Sequence, residues 1–246
     1  MLEFQNVSFQ YAEDKQTMIK DFNFCVEEGE FISIIGASGC GKSTIFRLIN
    51  GLEKPQKGKI LIDGKPIEQI KQYSAFMPQK DLLFAWNTIE KNICLPMELQ
   101  KIPKKEQKQR CYEVLKEVGL LEYAKKYPRE LSGGMKQRIS FARTLLAGAK
   151  MLLLDEPFSA LDFLTRVSMQ EWLLEQWLHF HKTILFITHD VEEAIFLSKY
   201  IFVIQESPFS HMEKVEVPLP YPRKREDLKK QEIAELKEQL ISRLLS

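Results

Sequence analysis

The sequence predicts an α/β fold, with a buried parallel sheet that alternates with helices and is interrupted by a helical insertion. Three apolar runs, Phe31–Ile35, Met151–Leu154 and Thr183–Thr188, are nearly continuous, as in strands that are buried on both faces. Helical stretches lie between these runs. Buried strands that alternate with helices pair in parallel through right-handed crossovers.

Strand patterns also open the chain. Apolar and polar residues alternate over Leu2–Val7 and again at Phe22, Phe24 and Val26. This period of two is typical of half-buried strands. Glu28–Gly29 breaks the second strand pattern and leads into the first buried run, so the first 35 residues read as strand, turn, strand.

Three helices are predicted to accompany the sheet. Thr44–Asn50 and Phe163–Phe180 follow buried strands, and Glu226–Leu245 would form a C-terminal helix with leucine and isoleucine on one face.

The segment from about residue 82 to residue 146 shows only helical signals. Thr88 is placed to cap a first helix, and Lys104–Val118 is amphipathic, with Gly119 positioned to end it. Gly133–Ala147 forms the third helix of this predicted insertion.

Composition excludes several classes of protein. The 246 residues suggest one or two domains, and 44% hydrophobic with 28% charged residues excludes a disordered chain. The formal net charge of +1 argues against general nucleic-acid binding. There is no apolar run of ~18 residues to span a membrane, and the N-terminus lacks the pattern of a secretory signal. The four cysteines lack CxxC spacing, so we expect neither disulfides nor a zinc site; they are Cys25, Cys40, Cys94 and Cys111. We therefore expect a reducing cytosol as the setting of the chain.

The strongest chemical signal is the phosphate-binding pattern G-x-x-x-x-G-K-[ST] over Gly36–Thr44. A buried strand leads into it and a helix follows it, which is the context that this pattern requires. Its glycines let successive amides point at one anion, and the helix start adds its positive dipole end. Lys42 would lie at the outer phosphates, and the Ser43 hydroxyl would bind Mg²⁺.

Two acids follow the second buried run. Asp155 and Glu156 would lie at the carboxyl edge of the sheet, where open α/β sheets bind ligands. Asp155 would hold Mg²⁺ through water, and Glu156 would face a water that attacks the γ-phosphate. The alternative interpretation, two acids in a solvated loop, loses weight because the phosphate loop ends another strand at the same edge.

The phosphate loop and the two acids suggest roles for three further residues. His189 follows the third buried run and is placed to bond the γ-phosphate, although a structural histidine is the alternative. Gln79 would contact Mg²⁺ or the water, or else be an ordinary loop residue. Tyr11 would stack on a purine base, a role for which Phe9 and Phe22 compete.

A second anion site is predicted where the third insertion helix begins. Ser132 is a good helix cap, and Gly133–Gly134 expose the amides of the first turn. This helix start would contact either the same phosphates from across the fold or another molecule.

These motifs occur together and in order, and the sequence resembles the nucleotide-binding subunit of an ATP-binding cassette (ABC) transporter over nearly its whole length. The resemblance rests on Tyr11, GASGCGKST, Gln79, LSGGM, MLLLDE, SALD at Ser159–Asp162, and His189. Met135 stands where the family more often has glutamine, but the anion-binding residues before it are intact.

The resemblance implies an α/β P-loop NTPase fold with a parallel core sheet, an N-terminal antiparallel β subdomain and a helical insertion. It implies one domain over residues 1–246, with a core of residues 1–81 and 147–217, a helical subdomain of residues 82–146, and a C-terminal tail of residues 218–246.

The resemblance also implies roles for individual residues, with ATP and Mg²⁺ as the bound groups. The expected catalytic residues are Glu156, His189 and Gln79, the expected Mg²⁺ residues are Ser43, Gln79 and Asp155, and the expected nucleotide-binding residues are Tyr11, Gly36, Ala37, Ser38, Gly39, Cys40, Gly41, Lys42, Ser43, Thr44, Ser132, Gly133, Gly134 and Asp162.

The partners that the resemblance implies are a second copy of the chain, which would sandwich two ATP molecules head to tail, separate transmembrane permease subunits, and indirectly a solute-binding protein, with no nucleic acid. The chain would lie at the cytoplasmic face of the cell membrane. The segment Asp81–Ile93 and the short basic tail resemble the nitrate, sulfonate and taurine importer branch, which also includes importers of thiamine pyrimidine precursors. An export cassette, a soluble cassette ATPase and a non-catalytic interaction protein are the alternatives.

Overall fold

The computed structural model describes residues 1–13 and 16–245, so residue 246, the last of the expected tail, lies outside the described residues. The strands are β1 (Leu2–Phe9), β2 (Ile19–Val26), β3 (Phe31–Gly36), β4 (Lys57–Ile62), β5 (Lys65–Pro66), β6 (Ser74–Met77), β7 (Met151–Asp155), β8 (Thr183–Ile187), β9 (Tyr200–Ile204) and β10 (Glu213–Glu216). The helices are α1 (Lys42–Ile49), α2 (Ile89–Leu99), α3 (Lys104–Glu117), α4 (Gly133–Leu145), α5 (Phe163–Phe180), α6 (Val191–Leu197) and α7 (Gln231–Leu245).

The core sheet has the strand order β10-β9-β3-β8-β7-β6 across the described residues. Its strands pair in parallel except for β10, which pairs antiparallel with β9. Strands β3, β7 and β8 are buried along their whole length, which confirms the prediction from their continuous apolar runs. Because these strands are parallel, their carboxyl ends meet at one edge of the sheet.

A second, antiparallel sheet of order β2-β1-β4-β5 covers one side of the core. Aromatic rings pack between the two sheets. The ring centroids of Phe24 on β2 and Phe202 on β9 lie 4.9 Å apart, and that of Phe22 on β2 lies 5.2 Å from that of Phe209, in the loop between β9 and β10. The alternating residues of β1 and β2 therefore face this aromatic layer. The expected N-terminal antiparallel β subdomain is confirmed.

Several elements were not predicted from the sequence. Strand β4 begins with Lys-Gly-Lys, and β6 has only four residues, so the local pattern of each is weak. Strand β9 is a continuous apolar run of the same type as the predicted strands, so its local sequence does indicate a buried strand. The last helix begins at Gln231 rather than at Glu226, because Arg225–Lys229 form a separate 3-10 turn that ends at the extended residue Lys230.

Helices α2, α3 and α4 pack around a shared apolar interior to which Ile93, Leu115 and Ile139 contribute. The Thr88 side chain caps α2 by accepting a hydrogen bond from the Lys91 amide, as expected. Within residues 1–13 and 16–245, no helix combines the length and the apolar character that crossing a bilayer requires.

The loop before α2 is organised by one fully buried polar side chain. The Asn92 side-chain oxygen accepts from the Phe84 amide at 2.8 Å, and its amide group donates to the carbonyls of Phe84, Asn87 and Thr88. These bonds hold the segment that presents the exposed indole of Trp86.

We expect Asn92→Ala to lower the free energy of unfolding by about 1–3 kcal/mol, because it leaves buried backbone groups without partners. Hydrogen exchange of the amides of residues 84–88 should accelerate. The control Gln109→Ala removes only a surface contact with Glu113 and should change stability by less than about 0.5 kcal/mol. Equal effects of the two substitutions would show that Asn92 does not organise the loop.

Candidate functional site

The loop between β3 and α1 is shaped by its glycines. Gly39 and Gly41 have φ angles of +81° and +104°, a region that residues with a Cβ rarely adopt. A Cβ at Gly41 would lie 3.0 Å from the Phe209 ring, and one at Gly36 would lie 2.8 Å from the Cys40 sulfur. The loop can therefore curl closely over the end of β3 only with glycine at these positions.

The Lys42 ammonium group lies inside this curl. Its Nζ donates to the carbonyls of Gly36 and Ala37, each at 2.8 Å, and the residue is only 8% exposed. Burial raises the pKa of the neighbouring Cys40 thiol in spite of the lysine charge, so the thiol stays neutral. The loop thus offers a fixed positive charge and a helix N-terminus to an anion.

An open groove beside the loop is lined by three side chains whose oxygens could bind a metal ion. It has a volume of about 660 Å³, and Ser43, Gln79 and Asp155 lie along it. Hydroxyl, amide and carboxylate oxygens are the ligands that Mg²⁺ prefers, and such sites are typically completed by substrate phosphates. Among the described residues, no group of three His, Cys, Asp or Glu side chains forms a metal cage. The donor set therefore fits a Mg²⁺ ion that is shared with a phosphate ligand.

Asp155 is a buried carboxylate in this groove, with 6% exposure. Burial raises its pKa above the ordinary value, and the charge of Glu156 adds to the rise. A hydrogen bond with Ser43 and the charge of Lys42 oppose it. Burying the charge of this carboxylate is unfavourable, and a bound cation would offset that cost. Asp155 is therefore suited to bind a cation.

The three side chains expected to be catalytic meet at one carboxylate oxygen. Gln79 Nε2 donates to Glu156 Oε2 at 2.8 Å, and His189 Nδ1 lies 3.5 Å from the same oxygen. His189 is 68% exposed and Glu156 is 19% exposed, so their pair lies at the surface of the site. The structure brings together residues from three different strand ends.

Glu156 has a left-handed backbone with a φ of +48°. This conformation is uncommon for residues other than glycine, asparagine and aspartate, and it typically costs about 1–2 kcal/mol. The Glu156 amide donates to Ile187 on β8 at 2.9 Å, and its carbonyl accepts from Gln137 at 3.0 Å and from Ser159 at 3.0 Å. These bonds keep the side chain aimed into the site.

Gln137 was missed by the sequence analysis. It is buried on α4, and its side chain also accepts from the Ala160 amide at 2.8 Å. It therefore ties α4 to the loop after Glu156. A glutamine on the apolar face of a helix was the available signal.

The second candidate anion site lies at the start of α4. The Ser132 hydroxyl caps the helix by accepting from the Met135 amide at 3.3 Å, and Ser132 and Gly133 are exposed. A Cβ at Gly134 would lie 3.3 Å from the Ala160 carbonyl oxygen. The neighbours of Gly134 are therefore in the Ser159–Asp162 loop, not in the Gly36–Thr44 loop.

Asp162 ends the Ser159–Asp162 loop and caps α5. Its carboxylate accepts from the Thr165 amide at 3.1 Å, and the hydrogen bond with the Thr165 side chain, the largest contribution, lowers the pKa of Asp162. Its local geometry is that of a helix cap at the surface.

Tyr11 lies against the first turn of α1. Its hydroxyl is 3.0 Å from the Thr44 hydroxyl, and its ring meets Phe9 edge to face at 4.8 Å. The Arg47 guanidinium lies 5.9 Å from the ring centroid. Tyr11 is thus partly exposed at the edge of the phosphate loop, whereas the competing Phe9 and Phe22 are both buried.

The family model of the ABC transporter matches residues 19–159. The formylaminopyrimidine import ATP-binding protein ThiZ of Halalkalibacterium halodurans is 42% identical over 234 residues, which span 94% of this chain and 90% of that protein. The aliphatic sulfonates import ATP-binding protein SsuB of Bacillus cereus is 41% identical over 216 residues, with 88% and 85% covered.

The fold is similar to that of the ATP-binding cassette MJ0796, solved as a dimer in a post-hydrolysis state bound to ADP and Pi. The TM-score is 0.81 at 28% identity, and the match covers 89% of this chain and 100% of that one. The fold class expected from the sequence is thus confirmed.

We expect Asp155→Asn to raise the thermal unfolding midpoint at pH 8 with nucleotide absent and a chelator present, because it removes a buried charge but can keep a bond to Ser43. The direction of this change follows from the raised pKa of Asp155. The folded state favours the protonated acid, so ionisation of Asp155 lowers the stability of the wild type most at high pH. The gain should shrink as the pH falls towards the pKa of Asp155.

The control is Asp63→Asn. The N-terminal ammonium bonds the exposed Asp63 carboxylate at 2.6 Å and lowers its pKa, so this substitution should not stabilise the protein. A lower midpoint for Asp155→Asn at pH 8 would contradict the assignment of a solvation cost to Asp155.

Proposed function

The chain belongs to the ABC transporter family, and on that premise we propose that it is the ATP-hydrolysing subunit of an importer for a small solute. The observation that carries the proposal is the meeting of Gln79 and His189 at Glu156 Oε2, next to the buried Asp155. This arrangement provides a base, a phosphate-facing imidazole and a cation ligand at one sheet edge.

The ATP phosphates would bind in the Gly36–Thr44 loop. The amides of the first turn of α1 and the positive end of its dipole would face the anion. Lys42 would turn from the carbonyls of Gly36 and Ala37 to the outer phosphates, exchanging two neutral acceptors for charged ones.

Glu156 would orient the attacking water and accept its proton at the carboxylate. The water oxygen forms a bond to the γ-phosphorus, and the bond from that phosphorus to the β,γ-bridging oxygen breaks, so that ADP leaves with the bridging oxygen. His189 would donate a hydrogen bond to the γ-phosphate, and Gln79 would hold the water in line. Positioning and electrostatics supply most of the acceleration in this scheme.

Ser43, Asp155 and Gln79 are the residues that would hold Mg²⁺. When bound, the ion would neutralise charge on the β- and γ-phosphates. Tyr11, at the edge of the loop, would stack on the base.

We propose that a second copy of the chain completes each site. Ser132 and Gly133 are exposed at the start of α4, away from the Gly36–Thr44 loop of the same chain, so their amides are available to a nucleotide on another molecule. Asp162 would lie at the same interface. The dimer of MJ0796 with ADP and Pi supports this arrangement.

Separate membrane subunits would dock on the segment of about residues 79–99. Large apolar side chains are exposed there, including Leu82, Trp86 and Leu99. The cargo class would be nitrate, sulfonate or taurine, or a pyrimidine precursor of thiamine. The names of three relatives, which print formylaminopyrimidine, aliphatic sulfonates and nitrate, support this range of cargoes. The chain would then be peripheral at the cytoplasmic face of the membrane.

We expect Glu156→Gln to lower kcat for ATP by about 100-fold or more, because the amide cannot accept the proton from water. ATP binding should persist, and ATP should shift the variant to a dimer in size-exclusion chromatography with light scattering. The surface substitution Glu206→Gln should leave turnover unchanged. Wild-type turnover in Glu156→Gln would remove Glu156 from the catalytic role.

Lys42→Ala is the second arm of this experiment. It should weaken the binding of a fluorescent ATP analogue, and it should also abolish the ATP-dependent dimer. Normal affinity would contradict the phosphate assignment of the loop.

Transport is tested in cells that lack the chain. Uptake of labelled nitrate, taurine, alkanesulfonate and aminopyrimidine should be measured with an empty vector, with the wild type and with Glu156→Gln. We expect one cargo to be restored by the wild type alone. If the uptake of each of the four solutes is the same in the three strains, the importer assignment is contradicted.

A further inference from the structure

A buried carboxylate lies behind the candidate catalytic residues and has no part in the scheme above. Glu193 on α6 is 7% exposed, and its two oxygens accept from Thr188 Oγ1 at 2.6 Å and from Gln170 Nε2 at 2.8 Å. An ionisable group that is buried this deeply is costly unless its bonds are all made. Its partners therefore indicate what it holds in place.

The Glu193 carboxylate holds the chain on either side of His189. The Thr188 hydroxyl donates to Glu193 and accepts from the Asp190 amide at 3.0 Å. The Asp190 carboxylate in turn caps α6 by accepting from the amides of Glu192 and Glu193. His189 thus projects from a clamped backbone, and Glu193 is the anchor of the clamp.

An arginine connects Glu193 to the Ser159–Asp162 loop. Arg166 donates from Nη2 to the Leu161 carbonyl at 3.1 Å, and its Nε lies 4.0 Å from Glu193 Oε1. This Nε is buried and has no hydrogen-bond acceptor among the described residues. The side chain therefore makes its bond to the loop and falls about 1 Å short of a bond to Glu193.

The gap between Arg166 Nε and Glu193 lies next to a small void, which candidate catalytic residues also line. The void has a volume of about 20 Å³, and Glu156, Ser159 and His189 border it together with Arg166 and Glu193. This is room for one water at most. A small movement of the loop can thus close the gap between Arg166 and Glu193 without a clash.

We propose that Glu193 and Arg166 are positioning residues that set the orientation of His189 towards Glu156 according to the position of the Ser159–Asp162 loop. A shift of the Leu161 carbonyl moves the guanidinium, the new bond from Nε moves Glu193, and Thr188 passes the movement to His189. The inference rests on the proposed function, in which this loop lies at the dimer interface.

The test is Glu193→Gln with its neighbour Glu192→Gln as the matched control. Glu192 lies on the same helix and pairs with Lys237 at the surface, so both substitutions replace a glutamate of α6 with an amide of the same size. We expect Glu193→Gln to lower kcat for ATP by about 10-fold or more with KM changed less than about 2-fold, and Glu192→Gln to match the wild type.

A double substitution separates positioning from general destabilisation. In the His189→Ala background, Glu193→Gln should lower kcat no further, because the route through the imidazole is already lost. A fall by the same factor in both backgrounds would overturn the inference. If Glu193→Gln does not fold, Thr188→Val, which removes the hydroxyl at similar volume, takes its place with the same expectation.

Arg166 is tested by rescue. Arg166→Met should lower kcat by a similar factor with KM unchanged, and Arg166→Lys should recover part of the loss because it restores a charge near Glu193. Equal rates for the two variants would contradict a role for the arginine charge.

Failure of this inference is distinguishable from failure of the proposed function. If the wild type hydrolyses ATP and Glu156→Gln does not, while Glu193→Gln behaves like Glu192→Gln, only the positioning role is wrong. A wild type without ATPase activity would overturn both.

Discussion

The register between β7 and β8 is the constraint on which the site depends. Asp155 is paired with Ile187, and the Glu156 amide donates to the Ile187 carbonyl, so the residues that follow the two strands leave the sheet side by side. Glu156 and His189 meet for this reason. A slip of one residue in a buried strand would turn every side chain to the opposite face, and Asp155 would no longer face the groove that it shares with Ser43.

The same edge of the sheet concentrates charge that the interior alone would not tolerate. Lys42 and Asp155 are both almost completely buried, and each is arranged for a ligand of opposite charge. Lys42 satisfies its donors with the carbonyls of its own loop, whereas burial holds the pKa of Asp155 above its usual range. A Mg-nucleotide would supply the opposite charge to both residues, a phosphate for Lys42 and the metal ion for Asp155. Its binding would therefore stabilise the folded protein.

Behind this edge lies a second polar layer, formed by Gln137 and Glu193. Gln137 bonds the carbonyl of Glu156 and the amide of Ala160, and Glu193 bonds Thr188. Neither was singled out from the sequence. The local signal for Gln137 is its place on the apolar face of α4, and Glu193 lies on the short helix α6, where its spacing is not distinctive. Their roles emerge only from hydrogen-bond partners that are remote in the chain.

The sequence by itself determined the local structures: the continuous apolar strands, the glycine loop with Lys42, the cap at Thr88 and the glycine pair at the start of α4. Each depends on neighbours within a few residues, where backbone sterics and capping act. Tertiary structure decided which of these parts meet. Gln79 reaches Glu156 across 77 residues, because β6 lies beside β7 in the sheet, and β6 was too short to predict. The placement of Gly134 against Ala160 rather than against the phosphate loop was likewise settled by packing, because contacts of long sequence separation depend on how whole elements bury their apolar faces.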